Sequence, residues 1–191
     1  MPKLHPTLWR SCRILSGKTR IELLRLVVDR LDPSVSELAA QLNISVPRAS
    51  QELRRLQSRG LIQAVRTGVH VRYRPVPDRL VSTAAPLLQA MRETFRQFPP
   101  DADEQSLRIA AAFSHVRRLA LARLLLPGPM DVQTLEEMAG MARNPLNRHL
   151  RLLLAGGVIR RSGKTIALAE NPHPLAQGLL EILKASRMPA V

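Results

Sequence analysis

Arginines recur through two stretches of this chain at spacings that line one face of a helix and continue along an adjoining hairpin, the pattern of a polyanion-binding surface. Between Ser45 and Arg74 stand Arg48, Arg54, Arg55, Arg59, Arg66, Arg72 and Arg74 against the single acid Glu52, a local charge of +6. Between Arg143 and Lys164 stand Arg143, Arg148, Arg151, Arg160, Arg161 and Lys164 with no acid, again +6, in a chain whose total is +14. Guanidinium groups neutralise phosphates and release condensed counterions, which drives sequence-independent binding to duplex DNA. Base identity is read by forked or amide side chains in the major groove, Arg on guanine and Gln or Asn on adenine. In the first stretch Ser45, Arg48, Ser50 and Gln51 are the expected reading surface. Arg54 and Arg55 are expected on phosphate, with Arg66, His70 and Arg72 on the backbone or the flanking minor groove. In the second stretch the equivalents are Arg143, Asn144, Asn147, Arg148 and Arg151, followed by Arg160, Arg161 and Lys164.

Other chemistries find less support. Ser16-Gly17-Lys18-Thr19 and Ser162-Gly163-Lys164-Thr165 lack the upstream glycine of a nucleotide-binding loop. No Ser/His/Asp or paired-carboxylate arrangement stands out, so an enzyme is not expected. His5, His70, His115, His149 and His173 are scattered with no i, i+4 pair, so neither a metal nor another cofactor is expected. Cys12, the one cysteine, reads as a small residue at a helix contact and Trp9 as a packing anchor. A lone cysteine fits a reducing compartment, and no apolar run approaches the ~20 residues of a membrane span. Met1-Pro2-Lys3-Leu4-His5-Pro6 has no apolar signal core. The expected location is the cytoplasm, in association with the nucleoid, away from membrane.

The elements that must position these residues occur twice. Ser16–Ile62 aligns with Ser114–Ile159 at an offset of 98 early and 97 late: Arg20 with Arg118, Leu23 with Leu121, Leu38 with Leu135, Leu53 with Leu150, and Gly60-Leu61-Ile62 with Gly157-Val158-Ile159. In the first copy Ile21 to Val28 form an apolar helix broken at Asp32-Pro33, and Ser36 caps a second helix carrying Leu38, Ala39 and Leu42. Asn43-Ile44-Ser45 turns into a third helix with Pro47 in its first turn, and Gly60 ends it. Leu61, Ile62, Ala64 and Val65 make a strand, Thr67-Gly68 a turn, and Val69, Val71 and Tyr73 alternate with His70, Arg72 and Arg74 in a second strand. The order is that of a winged helix-turn-helix. The second copy has a shorter hairpin, Ile159 to Leu168. From about Pro77 to Phe98 a helix carries one stripe of Leu80, Ala84, Leu87, Leu88, Met91, Phe95 and Phe98, and Pro99-Pro100-Asp101 marks a boundary. The expected fold class is mainly α with small β-hairpin wings (α+β). It comprises two tandem winged helix-turn-helix domains, residues 1–98 and 99–191.

The run Leu38-Ala39, Ser50-Gln51-Glu52-Leu53-Arg54-Arg55-Leu56 and Gly60-Leu61 resembles the ArsR-type (SmtB/ArsR) winged-helix repressors. So does Asn147-Arg148-His149-Leu150-Arg151-Leu152-Leu153 with Gly157-Val158, and Leu8–Ser16 looks like that family's first helix. The likeness covers residues 8–98 and, more weakly, 105–184. It implies a transcriptional regulator, usually a repressor, that pairs through its first and last helices, here Leu8–Ile14 and Leu80–Phe98. Two features depart from the family. Val35 to Leu42 carries no metal-sensing cysteine pair and Leu80 to Phe98 offers only Glu93 toward a zinc site, so a metal switch is not expected. The second unit is fused, which allows either a homodimer or an internal pseudo-dimer reading an imperfect palindrome. A tandem winged-helix interaction scaffold of a chromosome-associated complex and a replication-initiator-type DNA binder are the alternatives.

Overall fold

The computed structural model describes residues 8–68 and 70–186, without the side chains of Thr67 and His70; Val69 lies outside the described residues. Helix α1 (Leu8–Leu15) buries Leu8, Ser11, Cys12 and Leu15, one face at helical spacing. Helix α2 (Lys18–Asp29) buries Ile21, Leu24 and Val27 and ends before Asp32, which takes a φ of 49° ahead of Pro33. Helix α3 (Val35–Gln41) opens on a capping box: the Ser34 hydroxyl accepts the Glu37 N–H and the Glu37 carboxylate accepts the Ser34 N–H. Ser34, not Ser36, is therefore the cap, because it has the extended backbone of a cap and a Glu three residues on. Helix α4 (Val46–Gln57) begins at Ser45, with Pro47 in its first turn, and buries Ala49, Leu53 and Leu56.

The hairpin that follows pairs β1 (Gln63–Thr67) with β2 (His70–Arg74), Arg66 opposite Val71 and Gln63 opposite Arg74. The first strand starts later than the alternation predicts, because Leu61 and Ile62 sink into the core at 0% and 1% exposure. Helix α5 (Ala84–Gln97) also begins later than the expected Pro77, and Leu80 stands outside its apolar stripe at 39% exposure. The cause is a docking at Gly60. There φ is +69°, a Cβ would lie 2.9 Å from that of Asp78, and the Asp78 N–H donates to the Gly60 carbonyl. The chain is pinned in a turn before the helix can start.

A 3-10 turn at Pro100–Ala102 leads into α6 (Asp103–Phe113), α7 (Val116–Leu124), β3 (Met130–Asp131), α8 (Val132–Ala139), α9 (Arg143–Ala155), β4 (Ile159–Ser162), β5 (Thr165–Leu168) and α10 (Pro174–Ala185). The order of the first half recurs. Strands β3, β5 and β4 make a three-stranded antiparallel sheet; in the first half the place of β3 is held by an isolated bridge between Ser34 and Arg72. One continuous hydrophobic core runs through both halves. Helix α10 packs on α5 and α6 on α1, with α6 also against α2 and α9. The approach of α10 to α5 is close enough that a Cβ on Gly178 would lie 2.5 Å from that of Ala90.

Arg25 on α2 is buried where the halves meet. It donates to the Phe95 carbonyl at 3.2 Å, the Phe98 carbonyl at 3.0 Å and both oxygens of Asp103 on α6. Arg123, its counterpart on α7, likewise donates to the Leu183 and Ser186 carbonyls at the end of α10. Truncating Asp103 leaves a buried cation short of its counter-ion. Asp103→Ala is expected to lose about 3 kcal/mol in urea unfolding, and Arg25→Leu/Asp103→Leu appreciably less than the sum of the single changes.

His173 caps α10. Its Nδ1 accepts the Leu175 N–H at 3.2 Å, its Nε2 lies 3.3 Å from Ser106 Oγ, and its ring stacks on Phe98 at 4.9 Å. Burial pushes its pKa below the ordinary histidine value, against a smaller upward pull from Asp103. The folded state holds the neutral ring, so the stability it contributes is present above the unfolded pKa of about 6.5 and is lost as pH falls below it. Melting temperature should therefore drop on acidification from pH 7 to pH 5. His173→Asn, which keeps a capping oxygen, should flatten that slope.

Candidate nucleic-acid interface

Helix α4 presents its cations because its other face is committed to the core. Ala49, Leu53 and Leu56 are buried, and Arg48, Gln51, Arg54 and Arg55 project to solvent from the opposite side. Ser50 is half-buried at the edge of that surface. The Ser45 hydroxyl accepts the Arg48 N–H at 3.4 Å, so this residue orients the start of the helix rather than standing free. Glu52 takes Arg20 of α2 at 2.8 Å and Arg55 at 2.6 Å. Burial opposes its ionisation, yet the hydrogen bonds from Arg20 and Arg55 outweigh burial and hold the carboxyl below the usual range. One acid thus anchors α4 to α2, while Arg48, Gln51 and Arg54 have no side-chain partner among the described residues.

The two hairpins carry their charge differently. In the first, Arg66 is exposed, whereas Arg72 donates to the Asp32 carbonyl at 2.7 Å and Arg74 clamps the Asp32 carboxylate from 2.6 Å. The bond from Arg74 keeps the Asp32 carboxyl below its usual pKa. These two arginines hold the hairpin to the α2–α3 loop, and the side chain of His70 lies outside the described residues. In the second hairpin Arg160, Arg161 and Lys164 are all exposed; Arg161 donates only to the Gly163 carbonyl of its own turn. Here the third strand does the anchoring, and none of the three cations enters an ion pair among the described residues.

Helix α9 exposes Arg143, Asn144, Asn147, Arg148 and Arg151 while Leu146, Leu150 and Leu153 are buried. Arg143 pairs with Glu136 of α8 at 2.5 Å. The position matching Glu52 is His149, whose ring meets that of His115, the α7 cap, at 4.9 Å. Neither histidine is singled out by spacing, because 34 residues of chain separate two groups that only packing brings together. Cys12 is fully buried, and burial pushes its thiol pKa up, which leaves it protonated and unreactive. Among the described residues no group of three or more His, Cys, Asp or Glu could hold a metal, and no helix is long and apolar enough to cross a membrane.

Residues 17–64 match the family model described as bacterial regulatory protein, arsR family. That span runs from α2 to the first residues of β1, about a quarter of the chain, and is similar to the helix-turn-helix domain of that family. No curated protein and no solved structure matches the chain.

Among the described residues the Arg20–Glu52 pair is the one ion pair between α2 and α4. Glu52→Gln and Arg20→Gln should each cost about 1–2 kcal/mol in denaturant unfolding, with a double-mutant coupling of about 1 kcal/mol; strict additivity would show that the pair contributes nothing.

Proposed function

We propose that this chain is a sequence-specific repressor of transcription that binds double-stranded DNA as an internal pseudo-dimer of two winged-helix units, residues 1–98 and 99–191. The observation that carries the reading is the covering of α1 by α6 and of α5 by α10. These are the first and last helices of the two halves, the elements through which the ArsR-type resemblance would pair separate chains. In this chain each meets its counterpart from the other half, with Gly178 packed closely on Ala90.

In this reading α4 and α9 enter successive major grooves about 34 Å apart. Arg48 and Gln51 read one half-site, and Asn144 and Asn147 read the other, so the operator is an imperfect palindrome. Arg54, Arg66, Arg151, Arg160, Arg161 and Lys164 neutralise phosphate. Arg55 and Arg143, each with an acid partner, and Arg72 and Arg74, tied to Asp32, set the posture of the reading heads.

Light scattering on the pure chain is expected to give a monomer. Fragments selected from random duplex DNA should share two unlike half-sites, and affinity should fall steeply between ~50 and ~200 mM salt. Arg48→Ala should relax preference at one base position by about 1–3 kcal/mol, whereas Arg161→Ala should weaken all sequences alike. A stable homodimer at low concentration, or affinity indifferent to salt, overturns the reading.

A further inference from the structure

Three helices converge a cluster of cationic and protonatable side chains beside α9. His115, at the start of α7, uses Nδ1 to accept the Arg117 N–H at 3.1 Å. His149 on α9 lies against it, with 36° between the ring planes, and its own Nδ1 is buried without a hydrogen-bond partner. Arg118, behind them, is fully committed to the Ala111 and Ala112 carbonyls and the Ser114 hydroxyl. Arg117 on α7, Arg148 on α9 and Arg13 on α1 are exposed, and none of the three enters an ion pair among the described residues. The charges felt by the two rings come from these four arginines and, at His149 first of all, from the His115 ring, all of them cationic. Arg13 belongs to the first half of the chain, so the cluster is complete only because α1 is docked on α6.

The matching place in the first half shows what is unusual. The equivalents of His115, Arg117, Arg118, Arg148 and His149 are Gly17, Thr19, Arg20, Gln51 and Glu52. There the arginine of the inner helix is neutralised by Glu52 at 2.8 Å. In the second half the acid has become a histidine, and a second histidine and two arginines have been added around it. A concentration of positive charge with no counter-ion among the described residues is a site for an oxyanion. Its position beside the exposed face of α9 fits a phosphate of the duplex that α9 engages.

We propose that Arg13, His115, Arg117, Arg148 and His149 form a proton-linked phosphate site at the seam of the two halves, filled by one backbone phosphate of bound DNA. The site rests on the DNA-binding reading above and adds a pH dependence to it. Burial, reinforced at His149 by the His115 ring and at both by the neighbouring arginines, holds both rings below the ordinary histidine pKa, so the free protein carries them neutral near pH 7. A phosphate against the rings favours their charged form; at His115 the added proton takes Nδ1 and displaces the Arg117 N–H. Binding then takes up protons, and affinity rises as pH falls.

The test uses the full chain, with the imidazole resonances assigned through His115→Gln and His149→Gln and titrated between pH 5.5 and 8.5. It is run alone, with inorganic phosphate, and with a random 30-base-pair duplex. Both ring pKa values should rise by about one unit with either ligand, and duplex affinity should be about ten-fold stronger at pH 6 than at pH 8. His115→Gln/His149→Gln should reduce that gain to about two-fold. Arg148→Gln and Arg13→Gln, exposed changes that leave the melting curve in place, should each shrink the phosphate-induced shift. Rings that respond to neither ligand overturn the proposal. Rings that respond to inorganic phosphate while the pH dependence of duplex binding survives His115→Gln/His149→Gln overturn the assignment to DNA and make the ligand a free phosphate compound. Loss of all duplex binding in the unaltered chain overturns the DNA-binding reading instead, and the inorganic phosphate titration still decides the site by itself.

Discussion

Arg25 occupies the point at which four segments of the chain meet. Its guanidinium accounts for the carbonyls of Phe95 and Phe98 at the end of α5, lies over the Phe95 ring at 4.3 Å, and grips the carboxylate of Asp103 at the start of α6. Removing such a cation from water is tolerable only because its donors find oxygen partners and one of these carries a full negative charge. The consequence is geometric. The last helix of the first half, the turn through Pro100 and the first helix of the second half are held against α2 in one arrangement. Since α6 also lies against α1, α9 and α10, the placement of the second half follows from that anchor. Arg123 repeats the device at the end of α10, where two backbone carbonyls, the Ser186 hydroxyl and the negative end of the helix dipole suffice at a more exposed site.

The same fold is anchored in two ways around its basic surfaces. In the first half, arginines do structural work: Arg20 and Arg55 on Glu52, Arg72 and Arg74 on Asp32. In the second, a third strand fixes the hairpin, and backbone carbonyls hold Arg118. Equal formal charge in the two stretches therefore does not mean equal free charge. The second hairpin keeps its cations available, and α7 and α9 gather positive groups around His115 and His149 where the first half has a neutralised pair. A difference in the role of the halves follows from how each is braced more than from how many arginines it holds.

Much of the architecture was legible in local pattern. The apolar spacing of α1, α2, α4 and α9, the proline in the first turn of α4, and the glycines at 60 and 157, both with positive φ, announced helices, turn and hairpin in the right order. The misreadings were all at boundaries where a distant partner overrides propensity. Ser34 outcompetes Ser36 as a cap because Glu37 completes its box. Leu61 and Ile62 leave the strand for the core, and the residues before Ala84 are drawn into a turn by the hydrogen bond from Asp78 to Gly60.

The sequence by itself determined the kinds of element, their repeated order and the concentration of basic residues on one face of α4 and of α9. Periodicity and charge are local properties, encoded within a few turns of chain. Only the tertiary structure decided which of those arginines are engaged, that α10 covers α5, and that Arg25 meets Asp103 and His115 meets His149. Those pairings join groups 78 and 34 residues apart, and they leave no mark in spacing because they depend on how whole helices dock.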